Sequence, residues 1–472
     1  MNTVMPSHPD PSTSAPTNAQ PRLKRVLSLP QLVVFGLTYL APVVVFTTYG
    51  IVTAITQGHL AAAYLLALIV MLLTALSYGH LSRELPKAGS AYTYVRSVFG
   101  PVTGFITGWA LMIDYLLLPM LNYLVMGIMV NAQFPAIPVW AVIIVGILIV
   151  HFISVIGVRT VTGVSLGILL VSILLILVFV GLSISKVLTQ GVPETGALFP
   201  IVPGSEWLVV LTGASILTTS FLGFDAVTTL SEEARNPRRD IPRAVLLTAF
   251  IAGLLFIGTS WVAQLVHPDW TSFGDIEAAG SELMFQVGGS VLMGLFTAIY
   301  SIACLGAALA AQVSVSRVLY AMGRDRVLPA VFARVSPRFS TPTVAITCVS
   351  LLALIAIAMS LSLGFELVSF GALSAFAMVN LVVIVHFFVK KRERSVRGIL
   401  IYCVLPGLGV AANIWLWVNL GPLALIVGSV WTLLGVLFLA VKSRGFRKEI
   451  AIDFSESDPD LANSTPEQES GA

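Results

Sequence analysis

The sequence predicts an all-α protein that crosses a membrane many times. Of its 472 residues, 57% are hydrophobic and only 10% are charged, and the mean hydropathy is +0.94. Soluble domains carry about 25% charged residues. The chain also contains twelve apolar runs of the length that a membrane-spanning helix needs. Lys and Arg fall almost entirely between alternate runs, which is the pattern of cytosolic loops in membrane proteins.

The twelve apolar runs define the predicted membrane helices. Their limits are 31–55, 60–82, 98–130, 138–157, 162–187, 208–231, 243–266, 284–312, 341–361, 364–389, 398–418 and 421–441. The third and eighth runs are longer than a bilayer is thick, so we expect them to tilt or to continue beyond it. One transporter domain over 27–442 is predicted, between polar cytosolic tails at 1–26 and 443–472.

The basic residues provide an independent test of this topology. With the N-terminus in the cytosol, 25 of the 26 Lys and Arg residues lie on the cytosolic side, and Lys186 alone lies outside. Such a distribution agrees with the positive-inside rule. We therefore expect twelve spans in the cell inner (plasma) membrane, with both termini cytosolic.

The first run is interrupted near its centre by a proline. Pro42 has no N–H, so the carbonyl oxygen of Thr38 loses its helical partner. A broken first helix is expected, and a kinked but continuous helix is the alternative. Thr38, Tyr39 and Ala41 lie at this break and are candidate substrate-binding residues.

The sixth run contains a glycine and a carboxylate that a simple membrane anchor would lack. Gly223 can leave helical geometry cheaply because it has no Cβ. Asp225 costs about 3 kcal/mol or more near the middle of a span unless it faces water or a partner. A broken helix that lines a cation site is predicted. The alternative is close helix packing at Gly223, with Asp225 bonded to a neighbouring hydroxyl; Phe224 either offers a cation–π face or simply packs.

Interruptions in the first and sixth helices predict two related halves. Five spans separate them, and five is odd, so the second half would enter the membrane from the opposite face. Interrupted helices at corresponding positions indicate a midplane site in an inverted-repeat transporter. The predicted fold is thus a five-plus-five inverted repeat with two additional helices.

Asp114, in the third run, is the other carboxylate near the middle of a span, and no Lys or Arg accompanies it there. Two such carboxylates favour a cationic ligand. Alternatively, one or both are protonated and hydrogen-bonded, which would suit coupling to protons. No nucleophile–base pair, metal-ligand spacing or phosphate-binding loop is present, so the sequence predicts neither an enzyme, a cofactor nor a nucleic-acid partner.

A polar stripe is predicted on the inner half of the sixth helix. Asp225, Thr228 or Thr229, and Glu232 are spaced by three, four and seven residues, which places them on one face of an α-helix. Together with Glu233, Thr229 and Glu232 are candidates for gating or proton coupling. The alternative is that both glutamates pair with arginines of the cytosolic loops.

Three segments on the cytosolic side resemble the signatures of the amino acid–polyamine–organocation superfamily. They are 86–94 (PKAGSAYTY), 232–242 (EEARNPRRDIP) and 314–325 (SVSRVLYAMGRD). The resemblance covers nearly the whole chain and implies the LeuT-like inverted-repeat fold.

Four stretches inside the spans are similar to bacterial putrescine importers: 38–42 (TYLAP), 41–58, 113–119 (IDYLLLP) and 220–233 (SFLGFDAVTTLSEE). This likeness implies proton-linked import of a diamine at a site between the first, third, sixth and eighth helices. It also implies that Tyr115 and Glu232 or Glu233 take part in putrescine recognition. Amino-acid carriers of the superfamily hold the substrate carboxylate on glycine-rich amides of the first helix, and Ala41-Pro42 departs from that pattern.

We therefore expect a secondary transporter that imports putrescine or a similar small diamine by proton symport. Its partners would be the cationic substrate, protons and the lipid bilayer. An amino acid permease with the same fold is the first alternative, and a non-transporting sensor or partner subunit is the second.

Overall fold

The computed structural model describes residues 25–87, 90–191, 207–274, 276, 279–359 and 361–442. Most of the predicted N-terminal tail and all of the predicted C-terminal tail lie outside these residues. Helices make up nearly all of the described chain. Within it, β-type pairing is confined to a single parallel bridge between Leu27 and Ala234.

The helices are numbered in chain order. They are α1 (Leu29–Leu40), α2 (Val44–Ile55), α3 (Leu60–Glu84), α4 (Ser90–Phe99), α5 (Pro101–Gln133), α6 (Val139–Ile156), α7 (Val158–Gln190), α8 (Trp207–Leu217), α9 (Pro237–Val266), α10 (Ala279–Arg324), α11 (Thr343–Leu352), α12 (Leu361–Val383), α13 (Val396–Ile399), α14 (Leu405–Val418) and α15 (Pro422–Lys442). Short 3₁₀ segments cover Thr218–Phe221, Asp225–Leu230, Ala330–Ala333 and Ala353–Ala358, and π-helical segments cover Ile384–Lys390 and Leu400–Val404.

The chain is a multi-pass membrane protein. In its described part, ten helical stretches are long and apolar enough to cross a bilayer, and the bent pair of α1 and α2 makes an eleventh if it counts as one span. The ninth predicted run forms the apolar helix Thr343–Ala358, which is shorter than a full span. The polytopic all-α fold is confirmed, whereas the number twelve stays a prediction.

Apolar faces explain why these helices remain stable in lipid. On α7, Leu166, Leu170, Leu174 and Leu177 are all exposed and recur every three or four residues. Side chains at that spacing share one face of a helix. A helix satisfies its backbone hydrogen bonds internally, as a bilayer requires. Its exposed apolar side chains can then contact the acyl chains. The polar residues described below are instead buried between helices.

The two longest predicted helices differ in how they exceed the bilayer. Helix α5 is continuous through Pro119 and packs against α10 and α12. Helix α10 has an interruption at Gly288 and Gly289, where Gly289 has φ +65°, and then continues to Arg324. The eighth helix therefore extends beyond residue 312, where the sequence placed its end. As a result Arg317, expected in a cytosolic loop, lies buried inside the bundle.

Candidate functional site

The first predicted interruption is confirmed. Helix α1 ends at Leu40, and Ala41 adopts a left-handed conformation with φ +46°. Its N–H donates to the carbonyl of Thr38 at 3.2 Å, and α2 begins at Val44 after a bend of 47°. Because Pro42 cannot donate, the helix does not simply resume after the turn.

The second predicted interruption is also present. Helix α8 ends at Leu217, and a 3₁₀ turn follows. Gly223 then adopts a backbone conformation with a positive φ of +118°. A second 3₁₀ segment begins at Asp225. An L-residue rarely adopts such a positive φ, so the glycine is required by its backbone conformation.

The two interruptions touch each other. The ring of Tyr39 packs directly against the α-carbon of Gly223, so that a Cβ at this position would overlap the ring. The same ring meets Tyr115 of α5 edge to face, with centroids 6.5 Å apart. Three elements that are far apart in sequence thereby meet at one point in the bundle.

Asp225 and Tyr115 form the polar centre of this point, and both are fully buried. The hydroxyl of Tyr115 donates to Oδ2 of Asp225 and lies 3.3 Å from Oγ of Ser90, the first residue of α4. Backbone amides of Gly223 and Ala226 are near the carboxylate, but Oδ1 has no hydrogen-bond partner among the described residues. A buried oxygen in this state is costly and can be satisfied by a ligand donor.

Asp114 brings a second carboxylate to the same region. It is 2% exposed, and its Oδ1 has no hydrogen-bond partner in the described chain. It is close enough to Asp225 for their negative charges to interact, and both carboxylates also interact electrostatically with the hydroxyl of Tyr39. Gly371 of α12 packs closely against the backbone of Asp114, which holds α5 and α12 together here. Two acidic groups without a cation in a low-dielectric interior are unfavourable, and a bound cation would relieve this cost.

Phe224 is a packing residue in this structure. Its ring contacts those of Phe376 and Tyr78, with centroid distances of 5.3 Å and 6.0 Å, those two rings also contact each other at 5.9 Å, and Phe224 is fully buried. Tyr94 extends the aromatic cluster through Tyr78. Sequence reasoning missed Tyr78, Tyr94 and Phe376. Only Tyr94 carried a signal, since it belongs to the 86–94 segment, while tertiary packing alone brings the other two to the site.

The hydroxyls of two predicted site residues form hydrogen bonds with backbone carbonyls. Oγ1 of Thr38 lies 2.8 Å from the carbonyl of Val34 and 3.1 Å from that of Ser165, and so it links α1 to α7. Thr229 donates to the carbonyl of Ala226 at 2.6 Å. Neither hydroxyl is therefore directed to the two carboxylates, and Ala41 contributes only backbone geometry.

The predicted polar stripe requires a correction. Residues 225–230 form a 3₁₀ segment with three residues per turn instead of the expected α-helix, so of the two threonines that the spacing allowed, Thr228 aligns with Asp225 and Thr229 does not. The glutamates beyond it form ion pairs, as the alternative expected: Glu232 with Arg324 at 2.6 Å, and Glu233 with the buried Arg317. Glu232 and Glu233 are thus bound to the C-terminal part of α10.

The N-terminal segment is attached to the same place. The N–H groups of Val26 and Leu27 donate to the carbonyl of Glu233 at 2.8 Å and 2.9 Å, and the N–H of Arg235 donates to that of Leu27. The end of the second interruption is therefore held both by an ion pair and by backbone bonds. No group of three or more His, Cys, Asp and Glu side chains that could ligate a metal occurs in the described ranges.

Comparisons with known proteins agree with this geometry. The family model described as amino acid permease matches residues 31–447. The low-affinity putrescine importer PlaP of Escherichia coli K12 is 36% identical over 92% of this chain and 97% of its own length. From Bacillus subtilis, the branched-chain amino acid permease BcaP is 26% identical over 92% of this chain and 96% of its own length, and the methylthioribose transporter is 28% identical over 89% and 94%.

The family match covers most of the chain, and the similarity to the importer extends over nearly the full length of both proteins. The matched residues 31–447 include both helix interruptions, the one at Ala41 and the one at Gly223. The chain belongs to the amino acid permease family.

Proposed function

We propose that this protein is a secondary transporter that imports putrescine or a similarly small diamine. The observation that carries the proposal is the buried pair Asp114 and Asp225. Among the described residues, the buried basic side chain is Arg317, and Glu233 already neutralises it. The two carboxylates have no cation of their own, and a diammonium ligand would supply two.

The surroundings of the two acids favour an ammonium ligand over a carboxylate. Tyr39 and Tyr115 provide aromatic faces, which attract cations. Ala41 and Pro42 replace the row of free amides that would hold a substrate carboxylate, because proline has no N–H. The similarity to an importer named for putrescine supports the same substrate class.

Import of a dication is energetically favourable at a normal membrane potential. Two positive charges gain about 4.6 kcal/mol per 100 mV of inside-negative potential, twice the single-charge value. Proton symport is part of the proposal through the resemblance to proton-linked importers. The orientation with both termini in the cytosol is also part of it, because the predicted topology then places 25 of the 26 Lys and Arg residues on the cytosolic side.

Uptake by purified protein in liposomes tests the substrate. Radiolabelled putrescine would be offered under an inside-negative potential, with unlabelled diamines and amino acids as competitors. We expect saturable uptake that diamines block and amino acids do not. Competition by amino acids alone would instead support an amino acid permease, the candidate that the similarity to BcaP favours.

Two further measurements separate the remaining alternatives. Putrescine that binds to the purified protein without entering liposomes would indicate a sensor or a partner subunit. For proton coupling, uptake is measured at a clamped voltage with and without an inward proton gradient. A gradient that leaves uptake unchanged would remove symport but leave diamine import intact.

A further inference from the structure

The turn between α12 and α13 carries a dense set of basic residues that the transport site does not use. Residues 390–397 contain two lysines and three arginines but a single acid, Glu393. Both lysines are bound to the protein itself. Nζ of Lys390 donates to the carbonyl of Val98 at 2.8 Å, and Nζ of Lys391 to Glu84 at 2.7 Å. These two contacts fasten the turn to the ends of α4 and α3.

The three arginines of this turn lie at the protein surface. Arg392, Arg394 and Arg397 are all exposed, and none of them has an acidic partner among the described residues. The guanidinium of Arg394 lies over the ring of Phe388, 5.7 Å from its centroid. We call these three side chains the arginine turn. Within residues 392–397 there are three positive charges and one negative charge, so this part of the turn carries a net positive charge that attracts an external anion.

Backbone contacts fix the shape of the arginine turn. Arg392 has φ +58°, and the N–H of Arg394 donates back to its carbonyl at 2.8 Å. Oγ of Ser395 accepts from the N–H of Gly398 at 3.0 Å and so begins the next helix. The guanidinium groups are therefore presented on an ordered turn, and little further ordering would be needed on binding.

Apolar residues on the same turn identify the kind of anion. Val396, between Arg394 and Arg397, is 87% exposed, and Val389, Ile399 and Leu400 are exposed on either side. These residues continue into the apolar spans Leu363–Lys390 and Val396–Val418, which places the turn at the bilayer surface. An exposed valine is unfavourable in water but favourable at the boundary between headgroups and acyl chains.

We propose that the arginine turn binds the phosphate of an anionic phospholipid, with Val396 inserted at the level of the acyl chains. Guanidinium groups pair with phosphate oxygens through two parallel hydrogen bonds, which makes arginine suited to this contact. Basic clusters next to membrane helices attract anionic lipids for the same reason. The ligand is a lipid of the leaflet that this end of the bundle faces, and its binding does not depend on the transported substrate.

Lipid retention by the full-length protein tests the proposal. The purified protein is incubated in detergent with equal amounts of dioleoyl phosphatidylglycerol and dioleoyl phosphatidylcholine, repurified, and analysed by mass spectrometry for bound lipid. We expect phosphatidylglycerol to be enriched. The variant Arg392→Gln/Arg394→Gln/Arg397→Gln should lose about 5-fold or more of this enrichment, since each arginine near a charged surface contributes about 5-fold.

A matched variant controls for total charge. Arg235→Gln/Arg334→Gln/Arg338→Gln removes three exposed arginines from other predicted cytosolic loops and should keep the enrichment. A second variant, Val396→Ser, keeps every charge and should still reduce phosphatidylglycerol retention. Equal loss in the matched variant, no enrichment by the unmodified protein, or displacement of the lipid by millimolar inorganic phosphate would each overturn the proposal.

Discussion

The aromatic ring of Tyr39 lies directly on the α-carbon of Gly223, so the interruptions of two helices that are far apart in the sequence form a single contact. Gly223 has a positive φ there, and Tyr39 also meets the ring of Tyr115, whose hydroxyl is bonded to Asp225. Packing contacts and one hydrogen bond thus connect the backbone at Gly223, the ring of Tyr39 and the carboxylate of Asp225. A substitution at any one of them should therefore displace the others.

Gly223→Ala should disrupt both folding stability and uptake. A left-handed conformation costs an alanine about 1 to 2 kcal/mol, and displacing Tyr39 adds about 1 to 3 kcal/mol. Thermal unfolding in detergent and liposome uptake measure the two effects. Gly407→Ala is the matched control, because a Cβ there meets open space inside α14, and its stability should be unchanged or slightly higher. Equal behaviour of the two variants would contradict the importance of the contact.

Asp225→Asn and Tyr115→Phe should each reduce putrescine uptake while the protein still folds. A hydrogen bond to a charged group is worth about 1.5 to 3 kcal/mol, which corresponds to a loss of roughly 10-fold to 150-fold in uptake efficiency. Initial uptake rates over a range of putrescine concentrations measure it.

Tyr123→Phe is the control for this pair. Tyr123 is also fully buried on α5, but its hydroxyl lies 3.3 Å from Gln312, away from the two acids. We expect near-normal uptake by this variant. Normal uptake by both Asp225→Asn and Tyr115→Phe would remove these residues from the proposed site.

Asp114→Asn should lower uptake but not stability. The carboxylate is buried without a protein cation, so its removal should leave the free energy of unfolding unchanged or raise it by about 1 to 3 kcal/mol. Paired measurements of unfolding and uptake on the same preparation check this. A variant that transports normally but unfolds more easily would show that Asp114 has a structural role instead.

Glu233→Gln should be strongly destabilising, because it leaves the guanidinium of Arg317 buried without its partner. Breaking a buried ion pair costs about 3 to 5 kcal/mol. The double variant Glu233→Met/Arg317→Met should recover much of this loss, since apolar residues can replace such a pair. Thermal unfolding in detergent again gives the comparison.

An exposed ion pair provides the contrast. Nζ of Lys391 lies 2.7 Å from Oε2 of Glu84, as close as in a buried ion pair, but both side chains are about 40% exposed. Glu84→Gln should therefore change the free energy of unfolding by less than about 1 kcal/mol. If it destabilises as much as Glu233→Gln does, burial is not what determines the strength of these pairs.

Local chemistry explains which expectations the structure confirmed. Pro42 lacks an N–H and Gly223 lacks a Cβ, so both interruptions followed from single residues. The spacing left Thr228 and Thr229 open as neighbours of Asp225 on one helix face, and the 3₁₀ segment, which has three residues per turn, selects Thr228. The C-terminal limit predicted for the eighth helix was wrong, since Arg317 was placed in a loop although its ion pair with Glu233 allows it to be buried.

By itself the sequence determined the membrane character, the positions of both interruptions and the two unpaired acids, because hydropathy, proline, glycine and charge act locally. Tertiary structure alone decided that Phe224 packs in one cluster with Phe376 and Tyr78, and that α15 is bound to α5 by reciprocal hydrogen bonds between Trp109 and Trp431. It also decided which glutamate pairs with which arginine. Such contacts depend on how helices far apart in sequence pack together, and no local pattern contains that information.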